Sequence, residues 1–87
     1  MNAIVNLFEK EVEIYSLSVM PAGYGHKKIT VELLYNGNYK TFSAVTNNMP
    51  ATDEADELES IERYIVYFSI IEDKIADEIA EWLGINY

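Results

Sequence analysis

The chain has 87 residues, 49% of them hydrophobic, with no cysteine, which fits one α+β domain spanning residues 1–87 and excludes disulfides, thiolate metal sites and thiol catalysis. Fifteen acids oppose six bases for a net charge of −9, a balance that disfavours nucleic acid and anionic membrane as direct partners. At this size folding buries only roughly 60–65% of the chain surface, so a secreted form would ordinarily need cross-links, and a cytoplasmic location is the expectation.

The N-terminus, Met1-Asn2-Ala3-Ile4-Val5-Asn6-Leu7-Phe8-Glu9, lacks the basic lead and long apolar run of a signal peptide. Ile4, Val5, Leu7 and Phe8 are spaced as on a short helix, while the β-branched pair is compatible with a strand. Residues 11–20 are rich in strand formers, and their alternation changes phase near Ile14-Tyr15, as at a bulge. Proline and glycines make residues 21–26 a loop. The lone histidine, His26, sits there beside Lys27 and Lys28. One histidine cannot build a multi-histidine metal site, and two lysines on a glycine loop read as a solvated hairpin end rather than a phosphate cradle.

Asn36-Gly37 supplies both positive-φ residues of a type I′ hairpin turn. The turn then places Tyr35 opposite Asn38, Leu33 opposite Lys40, Val31 opposite Phe42 and Ile29 opposite Ala44. One face collects Ile29, Val31, Leu33, Phe42 and Ala44, whereas a one-residue slip would mix apolar and polar faces. With residues 11–20 added, the expectation is a three-stranded antiparallel meander. If residues 2–10 are helical, the order is α-β-β-β-α. Double-stranded-RNA-binding domains share that order, but their last helix opens with lysines for phosphates. Here the corresponding stretch is Thr52-Asp53-Glu54-Ala55-Asp56-Glu57.

Thr52 or Asp53 can cap a short helix, and Ser60 can cap a longer one running to Leu83. Gly84 then stands where a left-handed terminator belongs, with Ile85 placed for an apolar contact back onto the helix. At 100° per residue, Ile61, Tyr64, Ile65, Phe68, Ile71, Ile75, Ile79, Trp82 and Leu83 form one broad stripe to cover the sheet. Glu72 projects near the middle of that stripe and needs the rim or a partner, for which Lys40 and the sheet tyrosines are candidates.

Val66 and Ile70 fall on the opposite side with Tyr67 nearby, inside a ribbon of acids: Glu59, Glu62, Asp73, Asp77 and Glu81. Glu59 and Arg63 make a helpful i,i+4 pair, but Asp73, Asp77 and Glu81 stack like charges at that spacing. An apolar centre with an acidic rim has the make-up of an interface. The bland alternative is that the N-terminal segment folds over Val66 and Ile70.

No catalytic motif, metal-ligand cluster or cofactor fingerprint is present, so neither enzyme activity nor a cofactor is expected. The leading functional expectation is an interaction module whose acidic helix contacts a basic protein surface or a second copy of itself. A sharper version is a phage or mobile-element inhibitor whose carboxylates stand in for nucleic-acid phosphates. A third reading, an enzyme or small-ligand protein using Glu72 and sheet tyrosines, has no second reacting group to support it.

Overall fold

A computed structural model describes residues 3–47 and 60–85. It is an α+β fold. Four antiparallel strands, β1 (Ala3–Leu7), β2 (Lys10–Pro21), β3 (Lys27–Tyr35) and β4 (Asn38–Thr46), lie in one sheet in sequential order. One C-terminal helix, α1 (Ser60–Leu83), follows.

The fourth strand corrects the three-stranded expectation. Residues 3–7 are not a helix; they pair with β2 from Ala3↔Ile14 to Leu7↔Lys10. The cause is the two-residue turn Phe8-Glu9, whose φ values of 52° and 67° are both positive. Positive φ at both central residues is the geometry of a type I′ turn, normally signalled by Asn or Gly. Here ordinary residues adopt it, so the sequence carries no turn signature. The inward periodicity of β1 is Ala3, Val5, Leu7, with Ile4 left 52% exposed on the other face. A small alanine at one inward position and an isoleucine pointing outward disguise the strand.

The β3–β4 hairpin has the register set by Asn36-Gly37, from Tyr35↔Asn38 to Lys27↔Thr46. Asn36 and Gly37 have φ values of 53° and 81°. The phase change in β2 is a bulge: the register shifts between Ile14 and Ser16. Upstream of it Val12 and Ile14 point inward, and downstream Leu17 and Val19 do so, opposite Val31 and Ile29. Tyr15 is left on the outer face, where its ring meets Tyr39 edge-on at 5.1 Å between centroids.

α1 lies across the inner face, packing most extensively on β4. Phe68, Ile71, Ile75 and Ile79 enter a core with Ala3, Leu7, Val12, Ile14, Ile29, Val31, Leu33 and Phe42. Ile61, Tyr64, Trp82 and Leu83 pack around it, half-buried. Ile65, placed in the stripe by periodicity, is 40% exposed. At 100° per residue it points the same way as Leu83, which packs against the core, so direction round the helix does not by itself set its exposure. Trp82 ties the end of the helix to the sheet, edge-on to Phe42 at 5.7 Å and to Tyr35 at 6.3 Å. Such ring pairs add about 0.5–1.5 kcal/mol beyond area burial.

The helix stops as expected. Gly84 has φ +75° and donates from N to the Glu81 carbonyl at 3.1 Å; Ile85 N donates to the Ala80 carbonyl at 2.9 Å. These are the two bonds of a Schellman motif. The short helix expected over residues 53–59 lies outside the described residues.

Candidate functional site

The candidate surface is the solvent side of α1. Between Ser60 and Leu83 the helix holds six acids, Glu62, Glu72, Asp73, Asp77, Glu78 and Glu81, against Arg63 and Lys74. Five of the six, all but Glu72, are exposed. Burial of Phe68, Ile71, Ile75 and Ile79 fixes the helix rotation, and 3.6-residue periodicity then turns Glu62 and Asp77 away from the sheet, with Asp73 and Glu81 on the flanks, where each also borders a cavity shared with strand residues.

Their position along the axis matters as much as their rotation. Asp77, Glu78 and Glu81 lie in the C-terminal turns, and the last turn contains no base. The C-terminus of a helix carries partial negative charge, which disfavours Glu81, in the last turn, by about 0.3–1 kcal/mol. The i,i+4 pairs Asp73/Asp77 and Asp77/Glu81 add repulsion of about 0.2–0.5 kcal/mol apiece. The helix therefore concentrates negative charge toward one end, four acids against Lys74 from residue 73 onward.

The apolar part of the predicted surface is placed differently. Val66, Tyr67 and Ile70 are half-buried rather than exposed. Tyr67 and Ile70 pack against the edge of the core. The predicted apolar centre is therefore only partly presented to solvent, and the acids dominate the surface. Glu59 lies outside the described residues.

Glu72 and Lys40 are on different sides of the helix. Glu72 is half-buried and, with Asn6, Leu7, Phe8, Asp73, Ala76 and Ile79, lines a cavity of about 280 Å³ beside the β1–β2 turn. Lys40 lines another of about 500 Å³ with Thr41, Phe42, Glu78, Glu81 and Trp82. Of the candidate partners for Glu72, Lys40 therefore lines a different cavity. Glu78 was not singled out from the sequence. The signal was there: Lys40 falls on the inner face of β4 by the hairpin register, and Glu78 and Trp82 are one turn apart on α1.

The basic loop is a five-residue connection closed by Ala22 N to His26 O at 3.0 Å and His26 N to Gly23 O at 2.9 Å. Gly23, Tyr24 and Gly25 all have positive φ. Glycine accepts that region without steric cost, but Tyr24 does not. Its ring is fully exposed.

Among the described residues, no group of three or more His, Cys, Asp or Glu side chains is arranged to hold a metal ion, and no helix is long and apolar enough to cross a membrane. Compared with protein-family models, curated proteins and solved structures, the chain matches none.

Proposed function

We propose that the protein is a small acidic interaction module that binds a basic protein surface through the exposed face of α1. The observation that carries this reading is the clustering of Asp73, Asp77, Glu78 and Glu81 on the C-terminal half of the helix, with no base in its last turn. That arrangement is unfavourable in the free protein, both against the helix dipole and between neighbouring carboxylates. A cationic partner relieves both terms at once, so binding gains where folding loses. Residues 3–47 contain equal numbers of acids and bases, so the helix side is the end that a positive surface approaches first.

The same charge separation supports a second reading, a protein that occupies the phosphate-binding surface of a nucleic-acid-binding partner. The two readings differ in one outcome: only the second predicts that duplex DNA and this protein exclude each other from the partner. Self-association through α1 is disfavoured by opposing two acidic faces.

The test is affinity capture with wild-type and Asp73→Lys/Asp77→Lys baits, at low and high salt, with identification of the retained proteins. The expected result is a set of basic proteins retained at low salt, released at high salt and missing from the variant. The same set on both baits would refute the reading. Light scattering across a concentration series checks self-association in parallel.

A further inference from the structure

The order β1-β2-β3-β4 leaves β4 at an edge of the sheet, with no described residue hydrogen-bonded along its outer side. Its pairing with β3 dictates which groups face outward. The two-residue turn makes Tyr35 and Asn38 the closing hydrogen-bonded pair, and such pairs alternate along an antiparallel ladder. Residues 38, 40, 42, 44 and 46 therefore spend their N–H and C=O groups on β3. Tyr39, Thr41, Ser43 and Val45 direct theirs away from it. β4 is nine residues long, contains no proline and carries one charge, Lys40. Natural edge strands are usually shorter, bulged, covered or more heavily charged, because an open row of backbone groups is a template for another strand.

This edge borders the larger cavity. Along the inner side of β4 that cavity, about 500 Å³, is lined by Lys40, Thr41 and Phe42 from the strand and by Glu78, Glu81 and Trp82 from α1. Phe42 and Trp82 are in edge-on ring contact there. The groove thus has an aromatic wall, two carboxylates against one ammonium, and a strand edge along one side. Alternate side chains of an added strand would point into it, as in grooves where a peptide lies between an edge strand and a helix.

We infer that β4 accepts an extended basic peptide segment as a fifth, antiparallel strand, with a lysine or arginine opposite Phe42 reaching Glu78, Glu81 and the Trp82 ring. Backbone bonds to Tyr39, Thr41, Ser43 and Val45 provide the affinity common to any extended chain. The carboxylates and the aromatic face select a cation at the position opposite Phe42. Lys40 opposes that cation, and so sets a limit on affinity while protecting the edge from pairing with itself. This inference rests on the proposed basic partner and specifies where and in what conformation that partner is held.

The probe is a fluorescein-labelled nine-residue peptide alternating lysine and valine. Its control carries methyl groups on alternate backbone nitrogens, which removes donors without changing charge. Anisotropy measures binding to the full chain, and amide exchange by NMR reads the edge. In the free protein the amides of Tyr39, Thr41, Ser43 and Val45 should exchange fast, and bound peptide should slow them selectively. Glu78→Gln/Glu81→Gln should weaken binding about tenfold, Lys40→Ala should tighten it, and the methylated peptide should fail to bind.

Equal binding of the methylated peptide overturns the inference while leaving the basic-partner reading intact. So does sensitivity to Asp73→Lys/Asp77→Lys with indifference to Glu78→Gln/Glu81→Gln. Slow exchange of the four amides in the free protein means that the edge is already occupied, and also overturns it; light scattering then separates a second copy from the chain's own residues as the occupant. Failure of both peptides to bind, together with unchanged capture by the Asp73→Lys/Asp77→Lys bait, defeats both readings.

Discussion

Glu9 occupies the second position of the β1–β2 turn at φ +67° and is exposed, and replacing it with glycine isolates the cost of that backbone. A non-glycine residue in the left-handed region costs about 1–2 kcal/mol. Glycine removes that cost but adds about 0.5–1 kcal/mol of unfolded-state entropy. The difference leaves Glu9→Gly more stable by about 0.5–1 kcal/mol. For a domain of this size that corresponds to a rise in Tm of about 2–8 °C. Urea titration and thermal melts followed by circular dichroism measure both quantities. The mirror experiment is Gly37→Ala in the β3–β4 turn, where φ is +81° and a loss of about 1 kcal/mol is expected. A Glu9→Gly protein that melts at or below the wild-type temperature would refute the turn geometry, and with it the placement of residues 3–7 as a strand.

Other perturbations separate the packed and solvent sides of the helix. Phe68→Ala and Ile75→Ala, at 2% and 1% exposure, should each cost about 2–5 kcal/mol in urea unfolding. Ile65→Ser, one turn from Phe68 but 40% exposed, should change stability far less; a loss equal to that of Phe68→Ala would mean the helix is rotated. Gly84→Ala should cost about 1 kcal/mol in the same assay, because the Schellman turn holds φ +75° there. Glu81→Lys should raise stability by about 0.3–1 kcal/mol by setting a cation at the negative helix end, while reducing capture of basic proteins. A charge reversal that lowers both stability and capture would contradict the assignment of Glu81 to binding.

The parts of the fold legible in the sequence were those with local chemical signatures. Asn36-Gly37 is a turn by residue type, and the apolar pattern of Ile29, Val31, Leu33 and Phe42 admits one register. Gly84 followed by Ile85 marks the helix stop, and the phase change at Ile14-Tyr15 marks the bulge. β1 was illegible because Phe8 and Glu9 are not turn residues; tertiary pairing imposes their backbone. Ile65 is the one member of the stripe left exposed, because periodicity gives a residue's direction but not the surface it meets at its place along the axis. A helix crossing chiefly over β4 leaves Ile65 without a cover among the described residues. Of the candidate surface, the acids could be placed by rotation alone. The half-burial of Val66, Tyr67 and Ile70, and the place of Lys40 and Glu78 on one cavity wall, depend on how helix and sheet are mutually set, which no local pattern encodes.

The irregularity in β2 has a consequence for how much length change this strand tolerates. The residues before and after Tyr15 obey opposite parity, so the strand reads as a regular ladder into which one amino acid has been inserted. Deleting Tyr15 would leave Ile14 facing Leu33 and Ser16 facing Glu32 as before, with Leu17 and Val19 still directed to the interior. The deletion would forfeit the ring contact with Tyr39 and the local coiling of the strand, but not the assignment of side chains to faces. A frame of this kind absorbs a lost residue at one point along its length, and would be turned inside out by the same loss in an unbulged neighbour such as β3.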